Sequence, residues 1–289
     1  MSLAWPYALY WHLSRTLFKQ LNGLMGMLSA YFDDSGTDAG TRAAVVGGYV
    51  ASDFQWKRFV ARWTEALDQE GIKIVRRADL ENFRGEFSEE RGWNPSRRTD
   101  FVRKLHRIIK TCTYSAVSAA VIKDDFTTTM PGWVKELFGG VYGWCACMCV
   151  IAMRGWCTEV HHSDPINWTF ESGTEGAHEI SQMFQALQLP DLRDHFCIGS
   201  FSFALKELKP LQAADLVAYE VFKHTENQLL DRGKRPRRRS ALDLFRRQDE
   251  RYATFWDRDR MTNWLAECDR DRPFGDVSMD QLERALRRK

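Results

Sequence analysis

A short apolar run from Leu28 to Asp33 predicts a first strand that meets two acids, Asp33-Asp34, and breaks at Ser35-Gly36. Ala43 to Val50 is small, β-branched and aromatic, and predicts a second strand antiparallel to the first. Ser52 or Asp53 caps a helix whose apolar positions, Phe54, Trp56, Phe59, Val60, Trp63 and Leu67, keep helical spacing. Ile72 to Asp79 reads as a short extended piece, and Glu81 to Asn94 as a charged, glycine-punctuated loop. Pro95-Ser96 opens a second helix with Phe101, Leu105, Ile108 and Ile109 on one face. Tyr114 to Ile122 predicts strand three, Trp133 to Trp156 one long buried helix, and Ile166 to Phe170 strand four. A helix over Glu175 to Leu187, a fifth strand over Phe196 to Phe203 and a helix over Leu211 to Leu230 follow. Ser240 to Lys289 alternates acids and bases with apolar spacing, which predicts two or three exposed helices.

Three consecutive strands, then two separated by helices, describe one α/β domain over residues 27–230, a five-stranded mixed sheet flanked by helices. Residues 231–289 form a basic linker and a helical C-terminal extension. The pattern is compatible with a ribonuclease H-like fold without selecting it over other α/β folds. Residues 1–26 form an aromatic-rich N-terminal extension, with Trp5, Trp11 and Phe18 interrupted by Arg15 and Lys19. It lacks the basic start, apolar centre and cleavage site of a signal peptide. Two readings stay open: an amphipathic helix, or a stretch upstream of a natural start at Met25 or Met27.

Composition changes this picture little. Apolar residues make up 44% and charged residues 28%, as in ordinary globular chains. The net charge of +2 does not demand a polyanionic partner, but Arg232 to Arg239 carries six bases and no acid and permits one. The chain has seven cysteines, an odd count. Cys145, Cys147 and Cys149 stand two apart in an apolar run, which suits a reducing, cytoplasmic compartment rather than a disulfide framework. No stretch reaches the roughly 18 uncharged apolar residues of a membrane span.

Candidate chemistry lies in three carboxylates. Asp33 ends the first strand, and Glu171 ends the fourth with the same strand, acid, Ser-Gly order. Asp215 sits inside the apolar helical stretch Pro210 to Tyr219. An isolated buried carboxylate is costly, and no Lys or Arg adjoins these acids, so a divalent cation is expected to supply the missing charge. Successive strand residues point to opposite faces. Asp33 and Asp34 are therefore not both expected as direct ligands, and the one that is not caps the turn or supports the site from behind. Glu175 is the nearby substitute for Glu171. For Asp215 the alternatives are a hydrogen bond to backbone or a pairing with Lys206 or Lys209, and Gln212 is placed to orient it or a water molecule.

Phe32-Asp33-Asp34-Ser35-Gly36 at the first strand and Leu211-Gln212-Ala213-Ala214-Asp215-Leu216-Val217-Ala218 near the C-terminus resemble domain of unknown function family 3800. That family is a bacterial and phage group placed among ribonuclease H-like folds. Arg77-Ala-Asp79-Leu-Glu81-Asn-Phe-Arg-Gly85-Glu-Phe87 is similar to its acidic, glycine-punctuated segment. The likeness covers roughly 28–230, and it departs from the family in two places. Asp34 replaces a Glu, and Arg76-Arg77 stand where many relatives place a His. The resemblance implies catalytic carboxylates at Asp33, Glu171 and Asp215, with Asp33, Asp34, Glu171 and Asp215 as metal-binding candidates. It further implies two Mg²⁺ or Mn²⁺ ions, about 4 Å apart in such sites, and a metal-bound water as nucleophile.

The expected activity is a divalent-metal-dependent nuclease or phosphodiesterase. The alternative is a catalytically silent ribonuclease H-like binding or scaffold module in a phage-defence or mobile-element system. A third option is an enzyme acting through the same acids on a small phosphorylated substrate. Arg235, Arg237, Arg238 and Arg239 are the candidate nucleic-acid contacts, and RNA and DNA are left equal. Phe87, Trp93 and Trp133 could stack bases, though core burial is the better reading. The cysteine cluster, with His161-His162 as its only nearby partners for zinc, reads as buried small hydrophobes.

Overall fold

The computed structural model describes residues 27–38, 40–231, 244 and 250–267. Leu28, Ala30 and Phe32 alternate with Ser29, Tyr31 and Asp33, so β1 (Leu28–Ser35) offers one apolar face and one that carries an acid. It pairs antiparallel with β2 (Ala43–Ser52), placing Asp33 opposite Gly47. All ten residues of β2 are buried, which makes it a central strand covered on both faces.

Ser52 caps α1 (Asp53–Glu70) by accepting the Gln55 N–H. A single helical turn, α2 (Arg77–Glu81), follows where an extended piece was expected. The glycine-punctuated loop contains two short 3-10 turns, Gly85–Phe87 and Glu89–Arg91. Pro95 opens α3 (Pro95–Cys112), capped by the Asn94 side chain. β3 (Ser115–Ile122) pairs antiparallel with β2 and leads into α4 (Lys123–Thr129).

The expected single helix over Trp133 to Trp156 is two helices, α5 (Gly132–Phe138) and α6 (Val141–Val160). They are bent by 73° at Gly139 and Gly140, whose φ angles of 74° and 144° suit glycine and not a helix interior. The Glu179 carboxylate accepts the N–H groups of Tyr142 and Gly143, so it closes the start of α6. No single described helix is long and apolar enough to cross a membrane, and α6 spends its apolar length in the core.

β4 (Ile166–Glu171) lies parallel to β1, then come α7 (Ala177–Ala186) and the short α8 (Pro190–His195). β5 (Ile198–Ala204) is parallel to β4, and α9 (Lys209–Asp231) carries Asp215. A sixth strand was not expected: β6 (Ala253–Trp256) pairs parallel with β3, followed by α10 (Arg258–Glu267). This part of the chain was read as helices only. Four residues with bases and acids on either side carry too short an alternation to show as a strand.

The sheet is therefore six-stranded and mixed, in the order β5-β4-β1-β2-β3-β6, and helices cover both faces. On one face α6 and α7 pack against Phe32, Val46, Trp168 and Phe170. On the other, α1 and α3 pack with Ala213, Leu216 and Val217 of α9. Gly47 matters here, because a Cβ would lie 3.3 Å from the Ala218 backbone nitrogen. Its absence lets α9 cross close over the middle of the sheet, above Asp33.

Candidate functional site: three carboxylates around one ammonium

The register that pairs Phe32 with Phe170 continues so that Asp33 and Glu171 emerge side by side at the ends of two parallel strands. Both acids alternate with residues of the α6 face, so both point toward α9. Asp215 is on the face of α9 that looks back at them. The structure thus brings together the three acids expected from the sequence, and it places a fourth group among them.

Lys206, two residues beyond β5, sends its Nζ between the three carboxylates. It lies 3.0 Å from Asp33 Oδ2, 2.6 Å from Glu171 Oε2 and 2.7 Å from Asp215 Oδ1. The expectation that no basic residue adjoins these acids is corrected. Lys206 is 35 residues from Glu171 and 173 from Asp33 along the chain, and strand register alone makes them neighbours. Sequence reasoning named Lys206 only as an alternative partner of Asp215. Lys209, the other alternative, donates to the Lys73 carbonyl instead. Glu175 is exposed, so Glu171 is the acid that belongs to the cluster.

The electrostatics follow from burial. Asp33 is 2% exposed, and loss of water pushes its carboxyl well above the usual carboxylate range. Lys206 opposes that rise, while Asp215 and Glu171 add to it. Burial alone would lower the Lys206 pKa, but Asp215, Asp33 and Glu171 outweigh it and hold the ammonium above its ordinary value. The three acids thus favour the charged form of Lys206.

Gln212 and Asp215, three apart on α9, share a helix face and anchor the surroundings. Gln212 Nε2 donates to the Lys206 carbonyl at 2.9 Å, and its Oε1 accepts the Trp63 indole N–H at 2.9 Å and the Val75 N–H at 3.2 Å. Gln212 therefore orients the backbone of Lys206, where the sequence suggested Asp215 or water as its target. The second oxygen of Asp215 accepts the Arg77 N–H at 2.5 Å. Arg77 itself is buried and pairs with Glu220 at 2.7 Å and Glu81 at 2.8 Å. This structural ion pair is a role that its sequence gave no sign of.

Asp34 points the other way. Its Oδ2 is buried against Gly176, where a Cβ would come within 2.5 Å of it. Burial raises its pKa to about 6, eased by the Thr174 hydroxyl and the Gly176 N–H. Its own N–H donates to Asp33 Oδ1 at 2.9 Å, so Asp34 steadies the first acid from behind.

Fit to a cation can be judged from the donors. They are carboxylate oxygens, the ligands that Mg²⁺ and Mn²⁺ favour, and Asp215 keeps 17% of its side chain open to solvent as an approach. Mg²⁺ needs oxygens at about 2.0–2.1 Å, closer than the 2.6–3.0 Å seen around Lys206. Among the described residues no group of three or more His, Cys, Asp or Glu side chains stands at metal-binding spacing. The acids would have to draw together to hold an ion.

The other candidates resolve simply. Cys112, Cys145, Cys147, Cys149, Cys157 and Cys197 are free and buried. The Cys145 and Cys149 thiols face β2, donating toward the Ala44 and Val46 carbonyls. Phe87 and Trp93 pack on each other at 5.0 Å within the core under α1 and α3, and Trp133 packs against the separate cluster on the α6 face. Arg235, Arg237, Arg238 and Arg239, like residues 1–26, lie outside the described residues. In comparisons with known proteins, no family model matches, and neither a curated protein nor a solved structure gives a significant match.

Proposed function

We propose that this protein is a divalent-metal-dependent phosphodiesterase acting on nucleic acid, built on a ribonuclease H-like fold. One observation carries the reading: acids from β1, β4 and α9 meet at one buried point, where a single ammonium faces three carboxylates. An uncompensated buried carboxylate is costly, and a divalent cation offsets that excess. The strand order supports the fold reading. An antiparallel β1-β2-β3 unit is extended beyond β1 by parallel β4 and β5, and the end motifs resemble domain of unknown function family 3800.

Asp33, Glu171 and Asp215 would hold Mg²⁺ or Mn²⁺. When bound, such an ion activates an attacking water and offsets charge on the leaving oxygen. The chain's own residues do the rest. Gln212 and Arg77 hold Lys206 and Asp215 in place, Asp34 steadies Asp33, and the Lys206 ammonium favours an anionic phosphate over a neutral group. Arg235, Arg237, Arg238 and Arg239 are proposed to hold the flanking backbone.

The test is cleavage of labelled single- and double-stranded RNA and DNA in Mg²⁺, Mn²⁺ or EDTA, beside Asp33→Asn and Asp215→Asn. Cleavage that needs metal and is lost in both variants is expected. Cleavage that survives both variants would overturn the site. A second reading rests on Lys206 itself: an ammonium already seated among the acids suits a silent binding or scaffold module. That reading predicts no metal binding and no turnover.

A further inference from the structure

The two edges of the sheet are not alike. β6 is four residues long and runs straight into Asp257-Arg258, which blunts it against further pairing. β5 is seven residues long, and from Ile198 to Leu205 the chain holds no charged residue and no proline. The Ala204 carbonyl accepts the Ser172 N–H on the β4 side, so strand alternation turns the backbone of Phe201 and Phe203 outward. Among the described residues no strand pairs with them there. An open edge of this kind is a template for another strand.

The two ends of this edge complement each other. At the C-terminal end Leu205 is 66% exposed, and Glu207 is exposed without an ion pair among the described residues. At the N-terminal end Gly199 and Phe201 line a cavity of about 450 Å³ with Ser181, Phe184 and Gln185. Arg193 borders the same cavity, its Nε held by the Ile198 carbonyl at 3.1 Å. Its terminal nitrogens meet no acid among the described residues. One end thus offers an apolar knob and an acid, and the other a hollow and a guanidinium.

Pairing the edge antiparallel with itself brings these opposite ends together. With Ser202 on the two-fold axis, Phe201 lies opposite Phe203 of a second copy, and the two can exchange both backbone hydrogen bonds. Leu205 of that copy then lies opposite Gly199, at the cavity, and its Glu207 comes to Arg193, twice by symmetry. The aromatic row of Phe184, Phe201 and Phe203, with ring centroids 4.4 and 5.0 Å apart, continues across the axis. No charged residue of the strand faces its own copy, as a self-complementary contact requires.

We propose that the β5 edge is a homodimer interface, in which two six-stranded sheets join edge to edge. The proposal is independent of the phosphodiesterase reading. Lys206 directly follows Leu205 in the chain, so seating Leu205 in the second copy also braces the turn that carries the ammonium.

Sedimentation velocity on the full chain should show a dimer of twice 33.6 kDa. Ser202→Lys sets a charge against its own copy and should give a monomer. Glu207→Arg should weaken dimerisation by about 10-fold or more, since each dimer carries the pair twice, and adding Arg193→Glu should recover it. A wild type that stays monomeric up to its solubility limit would overturn the proposal and leave the edge to a strand of another protein or to chain outside the described residues. A dimer that Ser202→Lys leaves intact would overturn it as well. If Ser202→Lys does not fold, Ser202→Cys decides. Opposed residues of this kind stand about 4.5 Å apart, within disulfide reach, so mild oxidation should give a cross-linked dimer that the wild type does not form. Absence of that cross-link would refute the pairing.

Discussion

Asp33 and Asp34 are joined by one peptide bond yet serve opposite faces of the sheet. Asp33 Oδ2 meets Lys206 beneath α9, whereas Asp34 Oδ2 is buried against Gly176 on the side of α6 and α7. The two-residue period of a strand separates them, and only a hydrogen bond from the Asp34 N–H to Asp33 Oδ1 links them.

Their substitutions should therefore differ in kind. Asp33→Asn is expected to weaken Mn²⁺ binding by about 100-fold or more, and Asp34→Asn by about 10-fold or less. Calorimetry on both variants checks this. Equal losses would place Asp34 among the ligands and count against the face assignment.

Gln212→Leu keeps volume but leaves the Trp63 N–H, the Val75 N–H and the Lys206 carbonyl without their partner. Each orphaned buried group costs about 1–3 kcal/mol, so a loss of roughly 3 kcal/mol is expected in urea unfolding. At about 2–4 °C per kcal/mol for a chain of this size, the melting midpoint should fall by roughly 6–12 °C. A change below about 1 kcal/mol would show that the network contributes little.

His106 on α3 is buried, and burial, Arg77 and Lys110 lower its pKa from 6.5 to about 3. Above pH 6.5 the ring is neutral in folded and unfolded chains alike. As pH falls from 6.5 toward 3, the unfolded chain takes up a proton that the folded one refuses, so stability is lost by up to about 1.4 kcal/mol per pH unit. His106→Leu should flatten that part of the stability profile relative to wild type. Parallel profiles for the two proteins between pH 4 and 6, roughly the centre of that window, would refute it.

The six described cysteines should be silent in the native protein. Burial pushes the Cys145, Cys147 and Cys149 thiols above their usual range and Cys157 up to about 12, and a thiol reacts as its thiolate. Treatment with a thiol reagent at pH 8, mapped by mass spectrometry, should leave Cys112, Cys145, Cys147, Cys149, Cys157 and Cys197 unmodified. Guanidinium should expose all six. Rapid native labelling of Cys145 or Cys149 would contradict their packing against β2.

Much of this protein was legible in its residues one stretch at a time. Five of the six strands and the helices over 53–70, 95–112 and 209–231 show in local periodicity, because a pleated or helical face must repeat its apolar positions to be buried. Asp33, Glu171 and Asp215 stood out for a similar reason: an acid in apolar surroundings is costly and calls for a partner. Strand alternation also put Asp33 and Asp34 on opposite faces, and the fold decided which of the two joins the cluster.

Tertiary structure decided what periodicity does not encode. The sharp bend at Gly139-Gly140 and the short β6 depend on neighbours, since α5 and α6 are both predominantly apolar and β6 has only four residues. The partner of the three acids was hidden for the same reason. Lys206 looks like any lysine in a polar turn, and its contact with Asp33 spans 173 positions of sequence. The parallel pairing of β1, β4 and β5, and the crossing of α9 over Gly47, bring its ammonium to the acids. Local chemistry therefore showed that the carboxylates need a counter-charge, and the fold alone determined that a lysine is the first to meet that need.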